Sequence, residues 1–199
     1  MLKRFVLICI ALSFLTLCGC NGYREIERGY LVSAVGFKQN KNEVTIAVNA
    51  MSPGGINDND TQSVTLYANG KTLFDAYNAL KSQLVNPLYF DHLGAVVIED
   101  SAVSLLAEII DFCKDLPEVS LGLYVVLTPD LQSLFESESP SDMLGYDIMG
   151  LIENYGKQNG VGVDNQLYKL QKILSSGGKI SLPTVNVTHK KLVLSEGLK

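Results

Sequence analysis

His92-Leu93-Gly94-Ala95-Val96-Val97-Ile98-Glu99-Asp100-Ser101 is the stretch that decides the fold. Leu93 to Ile98 is an unbroken apolar run, long enough only for a strand buried on both faces. Ser101 stands where a helix N-cap belongs, ahead of Val103, Leu106, Ile109, Ile110 and Cys113 at helical spacing. Pro117 breaks that helix, and Val119 to Leu127 supplies a second buried strand. Buried strands alternating with amphipathic helices imply a mixed sheet with helices packed on it.

Upstream, Leu31 to Phe37 is mostly apolar and β-branched, and Gln39-Asn40-Lys41-Asn42 offers a polar turn. Val44, Ile46, Val48 and Ala50 then alternate with Thr45, Ala47 and Asn49, which predicts a hairpin with one buried face. Ser52 to Gln62 is rich in Pro, Gly, Asn and Asp and reads as a solvated loop. Its alternating Asx residues lack the sixth-position Gly and final Glu of an EF-hand. A third strand places Val64, Leu66 and Ala68 on one face. Gly70 ends it, and Thr72 caps a helix whose stripe is Leu73, Tyr77, Leu80 and Leu84, stopped by Asn86-Pro87. The fold class is therefore α+β, in the order β-β-β-α-β-α-β.

Downstream the pattern weakens. A short helix is expected over Asp130–Phe135, loop over Ser137–Pro140, and helix over Asp142–Tyr155. Gly156–Gly162 reads as linker, and Leu167–Leu174 as an amphipathic helix ended by Gly177-Gly178. Thr184–Leu194 reads as one strand, with Val185 and Val187 facing one way. An unpaired last strand is unusual in a complete domain, so the chain is expected to be the front part of something longer. The expected divisions are 1–19, 20–29, 30–136 (an α+β domain), 137–180 (a helical and loop extension) and 181–199 (a strand entering a second domain).

The N-terminus has a basic start (Lys3-Arg4), an apolar run from Phe5 to Leu17, and Leu17-Cys18-Gly19-Cys20. This is the pattern of a secretory signal ending in a lipobox. Cys20, preceded by small Gly19, is the expected lipidated first residue of the mature chain; Cys18 follows bulky Leu17. The alternative, a single membrane span, needs about 20 apolar residues, and this run is shorter. Without Lys3 and Arg4, 14 basic and 21 acidic residues leave a net charge of about −7. That acidic balance argues against nucleic acid or an anionic bilayer as main partner. Attachment would rest on acyl chains at Cys20. Of four cysteines, Cys113 alone lies in the body of the mature chain, where its helical spacing makes it a small buried hydrophobe. No disulfide framework or structural zinc site is implied, and no cofactor.

Catalytic candidates are weak. Asp91-His92 before a buried strand, with Ser101 as nucleophile, is the one triad the sequence offers, but Ser101 lacks a Gly-x-Ser-x-Gly setting. His189 needs only a solvent-facing place. Ser175-Ser176-Gly177-Gly178-Lys179 lacks the Walker order, and Glu25 and Glu27 read as a charged spacer near the anchor.

Several blocks together resemble the Ger(x)C family of spore germination lipoproteins, the C subunits of nutrient germinant receptors. They are Cys20 with Tyr23-Arg24-Glu25-Ile26 leading to Leu31–Phe37, then Lys71-Thr72-Leu73-Phe74-Asp75-Ala76, then His92–Glu99. Ile109-Ile110-Asp111-Phe112, Val125-Val126 and Ser181-Leu182-Pro183-Thr184 follow in order. Asn21-Gly22 replaces the Trp-Asp usual in the family after the lipidated Cys. The resemblance implies a non-enzymatic, lipid-anchored subunit on the outer, extracytoplasmic face of the spore inner membrane. Its implied partners are two membrane-embedded receptor subunits, of A and B type. Ser52–Gln62 and Ser137–Gly162 are the loops expected to meet them. The alternatives are an extracytoplasmic solute receptor and a secreted hydrolase using Asp91, His92 and Ser101.

Overall fold

The computed structural model describes residues 3–4, 29–53, 62–159 and 164–196. The rest of the signal segment, Cys20, Glu25, Glu27, residues 54–61 of the polar loop, 160–163 and 197–199 lie outside them. The architecture is α+β: one mixed eight-stranded sheet with five helices on its two faces. The strands are β1 (Tyr30–Asn40), β2 (Glu43–Met51), β3 (Ser63–Gly70), β4 (Leu88–Tyr89), β5 (Ala95–Glu99), β6 (Tyr124–Thr128), β7 (Thr184–Thr188) and β8 (Lys191–Glu196). The helices are α1 (Leu73–Ser82), α2 (Leu106–Asp115), α3 (Leu131–Phe135), α4 (Leu144–Asn159) and α5 (Leu167–Ser175).

Sheet order is β3-β2-β1-β5-β6-β7-β8, with β4 beside β1. The hairpins β1–β2 and β7–β8 and the pair β2–β3 are antiparallel, while β1, β5, β6 and β7 run parallel. Helical crossovers make the parallel part possible and cover both of its faces. α1, α2 and α5 pack one face, over Val35, Phe37, Ile46, Val48, Val96, Ile98 and Val125. α3 and α4 pack the other, over Ala34, Ala47, Ala95, Val97 and Val126. The expected buried face of the hairpin is formed by Val44, Ile46, Val48 and Ala50, and its other face is covered too: Ala47 and Asn49 are buried, because α3 and α4 pack on that side.

Local signals act as read in several places. Thr72, in extended backbone, accepts from Asp75 N–H at 3.1 Å and starts α1. Gly70 is required because α1 turns back at once; a Cβ there would sit 2.1 Å from Ala76 N. Asp130 caps α3 through Ser133 N–H at 3.1 Å. Gly177, at φ +68°, closes α5, with Gly178 N–H on Ile173 O and Gly177 N–H on Leu174 O.

Others differ. Ser101 does not cap α2; it lies in a 3₁₀ stretch, Asp100–Leu105, that precedes the helix. Val103, Leu106, Ile109 and Ile110 keep helical spacing across the junction, so the pattern does not show the change of helix type. Gly156–Gly162 is not all linker, since α4 continues to Asn159 and Gly156 is buried. Thr184–Leu194 is a hairpin rather than one strand. His189 and Lys190 occupy left-handed φ values of 50° and 63° at its turn, without the Gly or Asn that normally announces it. β7 pairs with β6 and β8, so the last strands join the sheet instead of standing unpaired.

Candidate functional site

β1 carries an irregularity between Val32 and Ala34, where Ser33 is the extra residue against β2. The bulge holds the buried Ser33 hydroxyl against Asn49 of β2, to which it donates at 2.5 Å. Both oxygens then receive the start of α4. Leu144 N–H donates to Asn49 Oδ1 at 3.1 Å and Gly145 N–H to Ser33 Oγ at 3.3 Å. Two amides that a helix leaves without internal partners are satisfied by side chains from the sheet. Asn49 Nδ2 donates onward to Ser63 of β3 at 3.0 Å. Gly145 allows this approach: a Cβ there would lie 1.7 Å from Ser33 O. Farther along, Tyr124 of β6 donates to Glu153 at 3.1 Å. α4 is thus fixed to three strands by polar contacts.

The fixed helix forms one wall of a cleft of about 730 Å³. Tyr146, Asp147, Gly150, Leu151 and Asn154 line that wall, with Glu138–Pro140 and Lys191–Leu192 opposite. A smaller hollow of about 330 Å³ lies on the other side of Glu136–Asp142, against Asn49, Ser63 and Thr65. Glu136–Asp142 is therefore a ridge between two depressions. It is braced by Ser139 donating to Asp147, by Glu138 N–H on Lys190 O at 3.2 Å, and by a Lys190–Glu138 ion pair at 3.2 Å. Of the carboxylates along the cleft, Glu138 is paired with Lys190 and Asp147 accepts from Ser139 and Ser141. What remains is a mixed polar and apolar surface suited to contact, with volume in the range of ligand clefts.

In open sheets with parallel strands, ligands commonly sit beyond the carboxyl ends of the strands where the strand order reverses. Here that point lies between β1 and β5, and the chain's own groups fill it. The buried Glu99 carboxylate accepts from Leu131 N–H at 3.0 Å and Ser101 Oγ at 3.0 Å, and pairs with Lys38 at 3.1 Å. Ser101 Oγ in turn accepts from Gln39 N–H at 3.2 Å. Glu99 is a brace holding α3 and the 3₁₀ stretch to the sheet.

The three residues of the triad reading do not assemble. Asp91 and His92 stand before β5 and Ser101 after it, separated by five strand residues at roughly 3.3 Å each. His92 is half-exposed, with Nδ1 3.0 Å from Tyr146 Oη and Nε2 3.6 Å from Asp91 Oδ2, so it links the start of β5 to α4. His189 is in the β7–β8 turn, not on a strand. Cys113 is fully buried in α2, and burial pushes its thiol up to about 12, which leaves it unreactive at neutral pH. Among the described residues no group of three metal-ligating side chains converges, and no helix is long and apolar enough to cross a membrane.

Ser33, Asn49 and Gly145 are the residues that sequence reading missed. Their signal was present as two polar residues inside apolar strands, and a glycine near the start of a helical pattern. Of the loops expected to meet partners, most of Ser52–Gln62 lies outside the described residues, though Ser52 N–H on Gln62 O at 2.9 Å marks its base. The other, Ser137–Gly162, contributes the ridge and then α4.

The family model for the spore germination protein N-terminal domain matches residues 22–187, from two positions after Cys20 into β7. No curated protein and no solved structure matches the chain. The match covers well over half of the sequence and nearly the whole sheet, so the chain belongs to the family of spore germination protein N-terminal domains.

Proposed function

We propose that this protein is the lipid-anchored, non-catalytic subunit of a spore germinant receptor, attached through acyl chains on Cys20 to the extracytoplasmic face of the spore inner membrane. The observation that carries this reading is the family match, which begins two residues beyond the lipobox cysteine. The intended partners are the membrane-embedded A- and B-type subunits of the receptor. Two structural features favour assembly over chemistry. The strand-end position where such sheets often bind substrates is filled by Glu99 and its donors. The ridge Glu136–Asp142 is held rigid above two hollows, as a contact surface requires.

The test is a pulldown of epitope-tagged protein from detergent-solubilised spore inner membranes. Recovery of multi-span receptor subunits, lost in a Cys20→Ala strain, is the expected result. Recovery of this chain alone from the unmutated strain overturns the assembly reading. A ligand-dependent rise in melting temperature would then favour the solute receptor; a ligand at 100 times Kd adds about 2.7 kcal/mol.

A further inference from the structure

The sheet has two distinct ends, and the chain enters at one of them. Tyr30 opens β1 with its N–H on Pro87 O at 2.9 Å, so the start of the sheet lies beside the α1–β4 turn. Val85 in that turn is 98% exposed, the most exposed large apolar residue among those described. Leu84 and Pro117 line the same hollow, with Tyr77 and Lys81. Two strands away on the same end, Leu121 and Tyr168 are each about half-exposed and joined by Tyr168 N–H on Leu121 O at 3.0 Å. Lys81 lies over the Tyr77 ring at 4.3 Å. Isolated exposed apolar residues need no explanation, but several at one end, accompanied by Tyr and Lys, have the composition of a membrane–water interface.

We infer that this end of the domain, centred on Val85 and Leu121, rests in the headgroup region of the bilayer that holds the anchor. The inference builds on lipidation of Cys20. Eight residues separate Cys20 from Gly29, and their nine steps at roughly 3.3–3.6 Å each reach at most about 32 Å. β1 is 11 residues long, about 35 Å, so its far end lies beyond that reach once the tether leaves Gly29. An inverted domain would hold Gly29 farther from the bilayer than the tether reaches, and the exposed apolar groups around Val85 and Leu121 favour that end over a sideways arrangement, with the end carrying Phe74 and Val103 turned away. Asp115 and Glu118 are exposed near Pro117. With Lys81 on the same end, these carboxylates leave no basic patch among the described residues there, and the net charge of about −7 without residues 1–19 opposes an anionic surface. Contact rests on apolar and aromatic groups and weakens as the bilayer becomes more anionic.

The chain has no Trp, so one introduced Trp reports its own surroundings. Val85→Trp and Phe74→Trp both fall on exposed positions and leave the core intact. The lipidated full chain is reconstituted in phosphatidylcholine vesicles, with and without lipids brominated near the headgroup. Flotation is measured alongside emission. The expected result is a blue shift and loss of most emission for Val85→Trp and neither for Phe74→Trp, with the quenching reduced when phosphatidylglycerol is added. Flotation without quenching at Val85→Trp, or equal quenching at both ends, overturns the orientation and leaves the anchor standing. Failure to float with Cys20 unmodified overturns the anchor, and the orientation falls with it.

Discussion

On one face of the sheet, α1, α2 and α5 meet large side chains: Phe37, Ile46, Val96 and Ile98 below, Leu80, Ile109 and Ile110 above. Aromatic edges close that layer, with Phe112 5.8 Å from Phe37 and 5.6 Å from Tyr77. On the other face, α3 and α4 lie over Ala34, Ala47, Ala95 and Gly36, where even one added carbon at Gly36 would sit 2.5 Å from Leu131. The first face keeps its helices by apolar area, which is non-directional and tolerates small repacking. The second sets helix against strand at close range and fixes the register with Ser33, Asn49 and Gly145. The contrast teaches where precision is concentrated. The face that carries the cleft and the ridge is the one held by directed polar contacts.

The sharpest way to break this contrast is within α4 itself. Alanine normally stabilises an exposed helical position over glycine by about 1 kcal/mol. Gly150 has nothing within 4 Å of an added Cβ, so Gly150→Ala should raise stability by up to about that amount. Gly145→Ala drives a carbon into the Ser33 carbonyl and should lower it by about 3 kcal/mol, opposite in sign on the same helix. Denaturant midpoints of the two variants decide it; equal signs would mean that α4 is not seated on the bulge.

Asn49→Ala is next in size. It leaves Leu144 N–H and the Ser33 hydroxyl without their acceptor in a buried site, at a cost of about 2 kcal/mol. Ile110→Val, on the opposite face, removes one buried methylene and should cost about 1 kcal/mol. If the two losses are reversed in order, the polar seam is incidental to stability.

The amount that was legible in the sequence divides along the same line. The apolar face was read from periodicity: Leu73 and Leu80 of α1, Ile109, Ile110 and Cys113 of α2, and Val96 and Ile98 of β5 are all buried. The α+β class and the strand order along the chain followed from that periodicity together with the continuous apolar runs Leu93–Ile98 and Val119–Leu127, which serve both faces. The other face was written in small residues, whose burial gives no hydrophobic signal, and in two polar residues whose partners lie 95 and 112 positions away. Long-range pairing of that kind has no local signature. The β7–β8 turn was missed for a related reason: His189 and Lys190 hold left-handed backbone that local preference assigns to Gly, Asn or Asp.

The smallest expected effect is alkaline, and it belongs mainly to the apolar face. Burial pushes the Cys113 thiol up to about 12, so it stays protonated in the folded chain after the unfolded chain has ionised. From about pH 9 upward the unfolded state binds fewer protons than the folded state, and stability falls as pH rises. The loss should be about 1 kcal/mol between pH 9 and pH 10, read as a drop in denaturant midpoint. Tyr67, on the other face, is pushed up to about 12 by burial and then by the Glu136 and Asp130 carboxylates, and it adds a loss of the same sign. Cys113→Ala should remove the thiol's part of the slope and leave the tyrosine's. An unchanged slope in that variant would mean that Cys113 does not contribute to it.

Receptor assembly and the orientation of the Val85 end share one premise, that the mature chain begins at a lipid-modified Cys20. The most direct measurement is the mass of the N-terminal peptide of the protein isolated from spore membranes. The expected peptide starts at Cys20 and is heavier than its sequence by a diacylglyceryl group, with or without a further acyl chain. A peptide that retains residues 1–19, or one that contains an unmodified Cys20, would contradict it.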